Sequence, residues 1–253
     1  MRIGRASTPG GTAYGEVTGD SFLPLRGDPF TVVVHAGEEY PLDAVQLLHP
    51  VEPRRVLVIL GGFLPEGENT PPEGSGPKLF PKVVTEHLGP GDKIPYPGFL
   101  TGSLDMEAEL ALVIGRRARS VPPDEAWESI FGFTVYNDIT ASEFLAVGDF
   151  YRAKSIDGFS SFGPWVVTGI SRDDIRDGLA ITGRVNGEPC QRGNTSRFKF
   201  DPGRVVSEAS RYVTLLPGDV IALGTPPPAH PVGRGDYVEA EVEGVGVLSN
   251  LIG

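Results

Sequence analysis

Glycine and proline interrupt this chain about once in every four positions, with 34 Gly and 24 Pro among 253 residues. Without a repeat period such a load can signal disorder. Here 40% of the residues are hydrophobic and 22% are charged, a balance that favours a packed core. The Gly and Pro then serve as turns between short segments. That predicts a strand-rich α+β fold and argues against a helix bundle. A chain of this length buries roughly three quarters of its unfolded surface as one large domain, or as one domain with a small appendage.

Residues 1–55 read as a small N-terminal β-rich region, with Thr31-Val32-Val33-Val34 strand-like between turn signals at Asp28-Pro29 and Gly37. Residues 56–253 read as the main domain. A buried strand over 54–60 leads into it, and a loop rich in Gly, Pro and Glu follows from Gly61 to Pro77. Long loops in compact domains are usually functional or mobile. Asp105–Gly115 and Phe131–Tyr136 are expected strands, and Asp124–Ile130 a short helix capped by Asp124. Leu179–Arg192 is expected to form a hairpin turning at Asn186-Gly187 in type I′ geometry. Val205–Leu215 is an expected helix, and Asp219–Leu223 an expected strand. Tyr237–Glu243 alternates Val238, Ala240 and Val242 with three glutamates, as a half-exposed strand does.

The formal net charge of −11 excludes a binder of nucleic-acid backbones. No apolar run approaches the roughly 20 residues of a membrane span, and no secretory h-region follows Met1. With Cys190 as its single cysteine the chain cannot form an internal disulfide, and a reducing cytoplasm is the expected location.

Asp105, Glu107 and Glu109 fall at i, i+2 and i+4, so one strand would point all three to one face. The apolar run Leu110–Ile114 follows directly. Two readings stand: an edge strand with a wet acidic face, or a cradle for a divalent cation that relieves the like charges. Hard oxygen donors favour Mg²⁺, Mn²⁺ or Ca²⁺ over Zn²⁺. Asp138 ends an apolar strand, as a turn or cap residue or as a further oxygen donor. Lys154 lies in an aromatic, glycine-rich stretch, as a surface lysine or as a functional cation.

Seven segments, in order, resemble the fumarylacetoacetate hydrolase family. They are Met1–Phe30, Leu79-Phe80-Pro81-Lys82 with Gly89–Ile94, and Glu107–Gly115 (similar to ExELAxVIG). Phe133–Ala141 follows (GYTxxNDxTA), then Arg152-Ala153-Lys154-Ser155 with Gly163-Pro164-Trp165. Asn186-Gly187-Glu188 with Gln191 and Thr195, and Leu216–Ile221 with Gly224-Thr225-Pro226, complete the set. The resemblance implies a mixed β-sandwich/β-roll catalytic domain with a small N-terminal β region. It implies Mg²⁺ (or Mn²⁺; Ca²⁺ possible) on Glu107, Glu109 and Asp138, with Asp105 a neighbour. It also implies a 2-oxo acid or 1,3-dicarbonyl substrate, a metal-stabilised enolate, Lys154 near the oxyanion, and Gln191, Gly224 and Thr225 on the substrate. Homodimers are common in the family.

Two family segments are missing. Where NYxxHxxE should stand the chain reads Gly61-Gly62-Phe63-Leu64-Pro65-Glu66, and Ser142 replaces the Arg of TARDxQ. The first departure removes the histidine that activates water in hydrolytic members, and Pro65 with the glycines disfavours a lid helix. Glu66 or Glu68, His87 and His230 are the candidate replacements as acid/base groups, while His35 and His49 read as structural. Without the water activator, isomerisation, decarboxylation or dehydration/cyclisation stands beside C–C bond hydrolysis. The rival is a catalytically inert, metal-binding partner subunit.

Overall fold

The computed structural model describes residues 1–100 and 102–253. Strands dominate it, and helices are short; Pro202–Tyr212 is an 11-residue helix. Twelve strands, counted among the described residues, join one mixed sheet. Its central part runs from Ser160–Val167 through Ile130–Asp138, Ala108–Ile114 and Val220–Ala222 to Val56–Ile59, with Leu79–Lys82 at the edge. The N-terminal strands Arg2–Thr8, Gly11–Thr18 and Ser21–Pro24 extend the same sheet, because Arg2 and Ile3 pair with Val167 and Val166. A five-stranded sheet, ordered Glu188–Asn194, Ala180–Val185, Tyr237–Val242, Gly246–Ile252 and Lys93–Ile94, packs against it. The larger apolar core lies between these layers, around Leu110, Leu112, Phe133, Val135, Val238 and Leu248.

Local chemistry explains most elements. Ala108–Ile114 is apolar at six of its seven positions and is buried throughout, as expected of a strand covered on both faces. Asn186 and Gly187 both have positive φ, 52° and 85°, which a type I′ turn requires. Along Tyr237–Val242 the valines and Ala240 are buried while Glu239 and Glu241 are half-buried, and Glu241 pairs with Arg184 at 2.6 Å.

Three local expectations are corrected. Thr31–Val34 is not a strand: the Asp28 carboxylate accepts from the Phe30 N–H at 2.7 Å and folds a turn there, leaving Val32 and Val34 exposed. Valine favours strands only where there is a partner surface to pack on. Asp124 is not the cap but lies in the first turn of Pro123–Ala126, where an acidic side chain suits the helix dipole. The expected strand from Asp105 to Gly115 is broken at Glu107 into Leu104–Met106 and Ala108–Ile114. No helix forms within 61–77, as Pro65 and its glycines predict. Among the described residues no helix is long and apolar enough to cross a membrane.

Candidate active site

The strand break builds the site. The Glu107 N–H donates to Asn137 Oδ1 at 3.1 Å, and the Glu107 carbonyl accepts from the Asp138 N–H at 3.0 Å. The break carries Asp105 into a small sheet, where it pairs with Thr140 and Pro231. Glu109 stays opposite Tyr136 on the neighbouring strand, two residues from Asp138. Glu107, Glu109 and Asp138 thereby bring one carboxylate oxygen each to within 4.8 Å of the others. Asp138 is fully buried, and Glu109 is 1% exposed.

Two buried lysines answer this charge. Lys154 Nζ donates to Glu107 at 2.8 Å and to Asp138 Oδ2 at 2.5 Å. Lys82, from the edge strand, donates to Asp138 Oδ1 and, at 3.1 Å, to the Ile139 carbonyl. The Thr140 hydroxyl donates to Glu107 at 2.9 Å, and the Gly224 N–H donates to Glu109 at 2.7 Å. The Gly224 contact needs a close crossing of two backbone segments. Gly224 has φ +93°, and a side chain on Gly62 would meet the Leu223 carbonyl at 2.0 Å, so both positions require glycine.

Three carboxylates against two ammonium groups leave an uneven balance. Burial, joined by the charges of Asp138 and Glu107, pushes the Glu109 carboxyl well above its ordinary range. Burial also raises Glu107, against the pull of Lys154. For Asp138 burial acts upward too, but Lys154 and Lys82 outweigh it and hold the carboxyl low. Burial lowers Lys82 despite Asp138. It acts the same way on Lys154, where the attraction of Asp138 and Glu107 prevails and raises the ammonium. The cluster therefore favours an ionised Asp138 beside the Lys154 ammonium, with Glu109 disfavoured as an anion until a further positive charge arrives. Three hard oxygens on one buried site, with neither thiol nor imidazole among them, fit a divalent cation of the Mg²⁺ or Mn²⁺ kind.

A cavity of about 250 Å³ opens onto Glu107, Glu109 and Lys154. Thr225 and Pro227 line one side, and Phe63, Phe80, Leu145 and Phe150 line others. Phe80 and Phe150 meet with ring centroids 5.4 Å apart.

The structure gathers some expected residues and disperses others. Lys154, Thr225 and the three carboxylates come together. Gly224 contributes its backbone N–H to Glu109. Gln191 is buried behind the cavity wall: its Oε1 accepts from the Ala108 N–H at 3.0 Å, and its Nε2 donates to Thr225 Oγ1 and the Pro226 and Pro228 carbonyls. Glu66 is exposed on its loop and does not line the cavity. His87 lies in a separate groove beside the edge strand, its Nδ1 2.9 Å from Ser160 Oγ. His230 is half-buried in the small sheet opposite Met106. Lys82 and Thr140 were not singled out as site residues from the sequence. Lys82 carried a signal, a cation alternating with Phe80 along a strand paired to the apolar Val56–Ile59.

Residues 61–252 match the model of the fumarylacetoacetate hydrolase C-terminal region. The chain belongs to the fumarylacetoacetate hydrolase family. Residues 1–50 match a second model, the Rv2993c-like N-terminal region. Protein Rv2993c of Mycobacterium tuberculosis is 35% identical over 263 residues, covering 100% of this chain and 98% of its own length. The human mitochondrial oxaloacetate tautomerase FAHD2B is 32% identical over 226 residues, 84% of this chain and 71% of the tautomerase. A crystal structure of 5-carboxymethyl-2-hydroxymuconate delta-isomerase from Mycobacterium smegmatis superposes with a TM-score of 0.91 at 35% identity, covering 100% of this chain and 99% of that one. Relatives of this chain thus include isomerases, tautomerases and hydrolases.

Proposed function

We propose that this chain is a divalent-cation-dependent enzyme that enolises a small 2-oxo acid or 1,3-dicarbonyl compound. Glu107, Glu109 and Asp138 would hold Mg²⁺ or Mn²⁺. The observation that carries this reading is a buried three-carboxylate set, two members of which line a cavity beside a buried ammonium group. The cation, when bound, supplies Lewis-acid polarisation of an oxo group. The chain's own residues do the rest. Lys154 keeps a positive charge at the cavity wall, where it stabilises a substrate oxygen that gains negative charge as the α-proton leaves. Lys82 fixes the far oxygen of Asp138 and so orients that carboxylate. Gln191 ties the 225–228 segment to Ala108 and so positions the Thr225 hydroxyl. The Phe80 and Phe150 rings present apolar surface to the cavity.

Tautomerisation, isomerisation and decarboxylation need charge stabilisation and proton movement but no attacking hydroxide. The titratable groups lining the cavity, among the described residues, are Glu107, Glu109 and Lys154. That set, with no imidazole in it, supports the enolising reactions over C–C bond hydrolysis, and the 32% identity to an oxaloacetate tautomerase supports the same class.

The test is turnover by the full chain with Mg²⁺ or Mn²⁺ on oxaloacetate, acylpyruvates and oxo-dienoates, followed by the ultraviolet absorbance of the enol. Activity lost with EDTA and in Glu109→Ala is the expected result. A bound cation with no turnover of any compound would favour an inert partner subunit. Unchanged activity in both Glu107→Ala and Glu109→Ala would overturn the cation site.

A further inference from the structure

We infer that the substrate is a monoanion whose end remote from the carboxylate cluster is an uncharged alkyl or alkenyl group of a few carbons, not a second carboxylate. This deepens the proposed function and rests on it. The floor of the cavity is polar, with Glu107, Glu109, Lys154 and Thr225, and its remaining surface is hydrocarbon. Phe63, Phe80 and Phe150 supply rings, and Ile59, Leu60 and Leu145 supply aliphatic surface. The rings are held in place: Phe80 packs on Phe150, and Phe63 meets Phe198 edge-on at 5.0 Å.

A second carboxylate laid against these apolar side chains would need a cation, and among the described residues the cavity lining offers none there. Among the described residues Lys154 is its one lysine, and no arginine or histidine lines it. That lysine belongs to the floor, bonded to Glu107 and Asp138. Two guanidinium groups on neighbouring segments are engaged elsewhere. Arg152 is exposed, bonded to Asp149 at 2.7 Å and stacked on Phe144. Arg197 donates to the Pro65 carbonyl at 2.7 Å. Ser142 donates its hydroxyl to the Ser103 carbonyl at 3.2 Å and presents no charge. A carboxylate desolvated against these rings without a partner is strongly disfavoured, whereas each methylene buried there favours binding by roughly fourfold. A volume of about 250 Å³ suits a short chain and not a long one.

Calorimetry on the full chain loaded with Mn²⁺ separates this inference from the reading beneath it. Three unreactive mimics of a 2-oxo acid serve as probes: oxamate, N-butyloxamate and N-(3-carboxypropyl)oxamate. The expected result is that N-butyloxamate binds at least tenfold more tightly than oxamate and at least tenfold more tightly than the carboxypropyl compound. Leu145→Arg, which places a cation on the apolar wall, is expected to reverse the second preference. Equal or tighter binding of the carboxypropyl compound by the unaltered chain would overturn the inference. So would binding of oxamate with no gain from the butyl group, and in that case the proposed function survives. If the cation binds but oxamate does not, the 2-oxo acid reading fails and the inference with it.

Discussion

Two buried polar groups meet along the Ile130–Asp138 strand, and burial acts on them differently. At its end, Asp138 lies among two other carboxylates and two lysines, and charge is retained by being matched to charge. Two residues earlier, the Tyr136 hydroxyl donates to Ser160, which in turn meets His87, and His87 packs near His49 and Phe162. There burial, helped by His49 and Lys82, lowers His87 to about 4, so the imidazole is neutral at physiological pH. The Ser160 hydroxyl partners its Nδ1, and aromatic rings pack beside it. Like charges crowded into one buried cluster, not burial or titratability as such, set the carboxylate end of the strand apart from the histidine end.

The largest way to break this comparison is Asp138→Asn. It leaves the Lys82 and Lys154 ammonium groups facing each other without their shared counter-charge, and should lower stability by about 3–5 kcal/mol in urea unfolding of the cation-free protein. A loss below about 1 kcal/mol would mean that the two ammonium groups are well solvated. Lys154→Met sharpens the charged side. It should lower turnover by about 10²–10³-fold while tightening Mn²⁺ binding, since a like charge next to the carboxylates is gone. Weaker Mn²⁺ binding in that variant would show that the lysine organises the ligands.

The pH dependence of cation binding follows from the raised Glu109 and Glu107 carboxyls. A cation must displace protons from them, so affinity should fall as pH falls. Calorimetry in two buffers of different ionisation enthalpy reads the released protons directly. The smallest effect belongs to the histidine side. His87→Gln should leave turnover within about threefold and reduce stability by about 1 kcal/mol. Because the folded value of His87 lies below its ordinary 6.5, the unfolded chain takes up that proton first on acidification. The stability it contributes is therefore present above about pH 6.5 and declines toward pH 4. Thermal melts of the variant should lose less between those limits than melts of the unaltered chain.

Much of the fold could be read from local pattern. The Asn186-Gly187 hairpin, the alternating Tyr237–Val242 strand and the doubly buried Ala108–Ile114 strand follow from turn geometry and a two-residue period, which act over a few residues. The Glu107-Ala108-Glu109 spacing likewise placed two carboxylates on one face, although it could not decide between a wet edge and a cation cradle. Where local signals failed, a partner was missing or supplied from afar. Thr31–Val34 has strand-forming residues but folds as a turn held by Asp28. Asp105 has the right spacing but leaves the cluster at the Glu107 break.

The sequence alone determined a strand-rich chain, its family resemblance and two neighbouring glutamates with a third carboxylate downstream. Tertiary structure decided what those carboxylates meet. Lys82 reaches Asp138 across 56 positions of sequence, and Glu109 receives its N–H from Gly224, 115 positions away. It also took Glu66, His87 and His230 away from the cavity and lined the space with Phe80 and Phe150. Periodicity is a local property of the backbone. The balance of buried charge depends on distances between side chains, and only the folded sheet sets those.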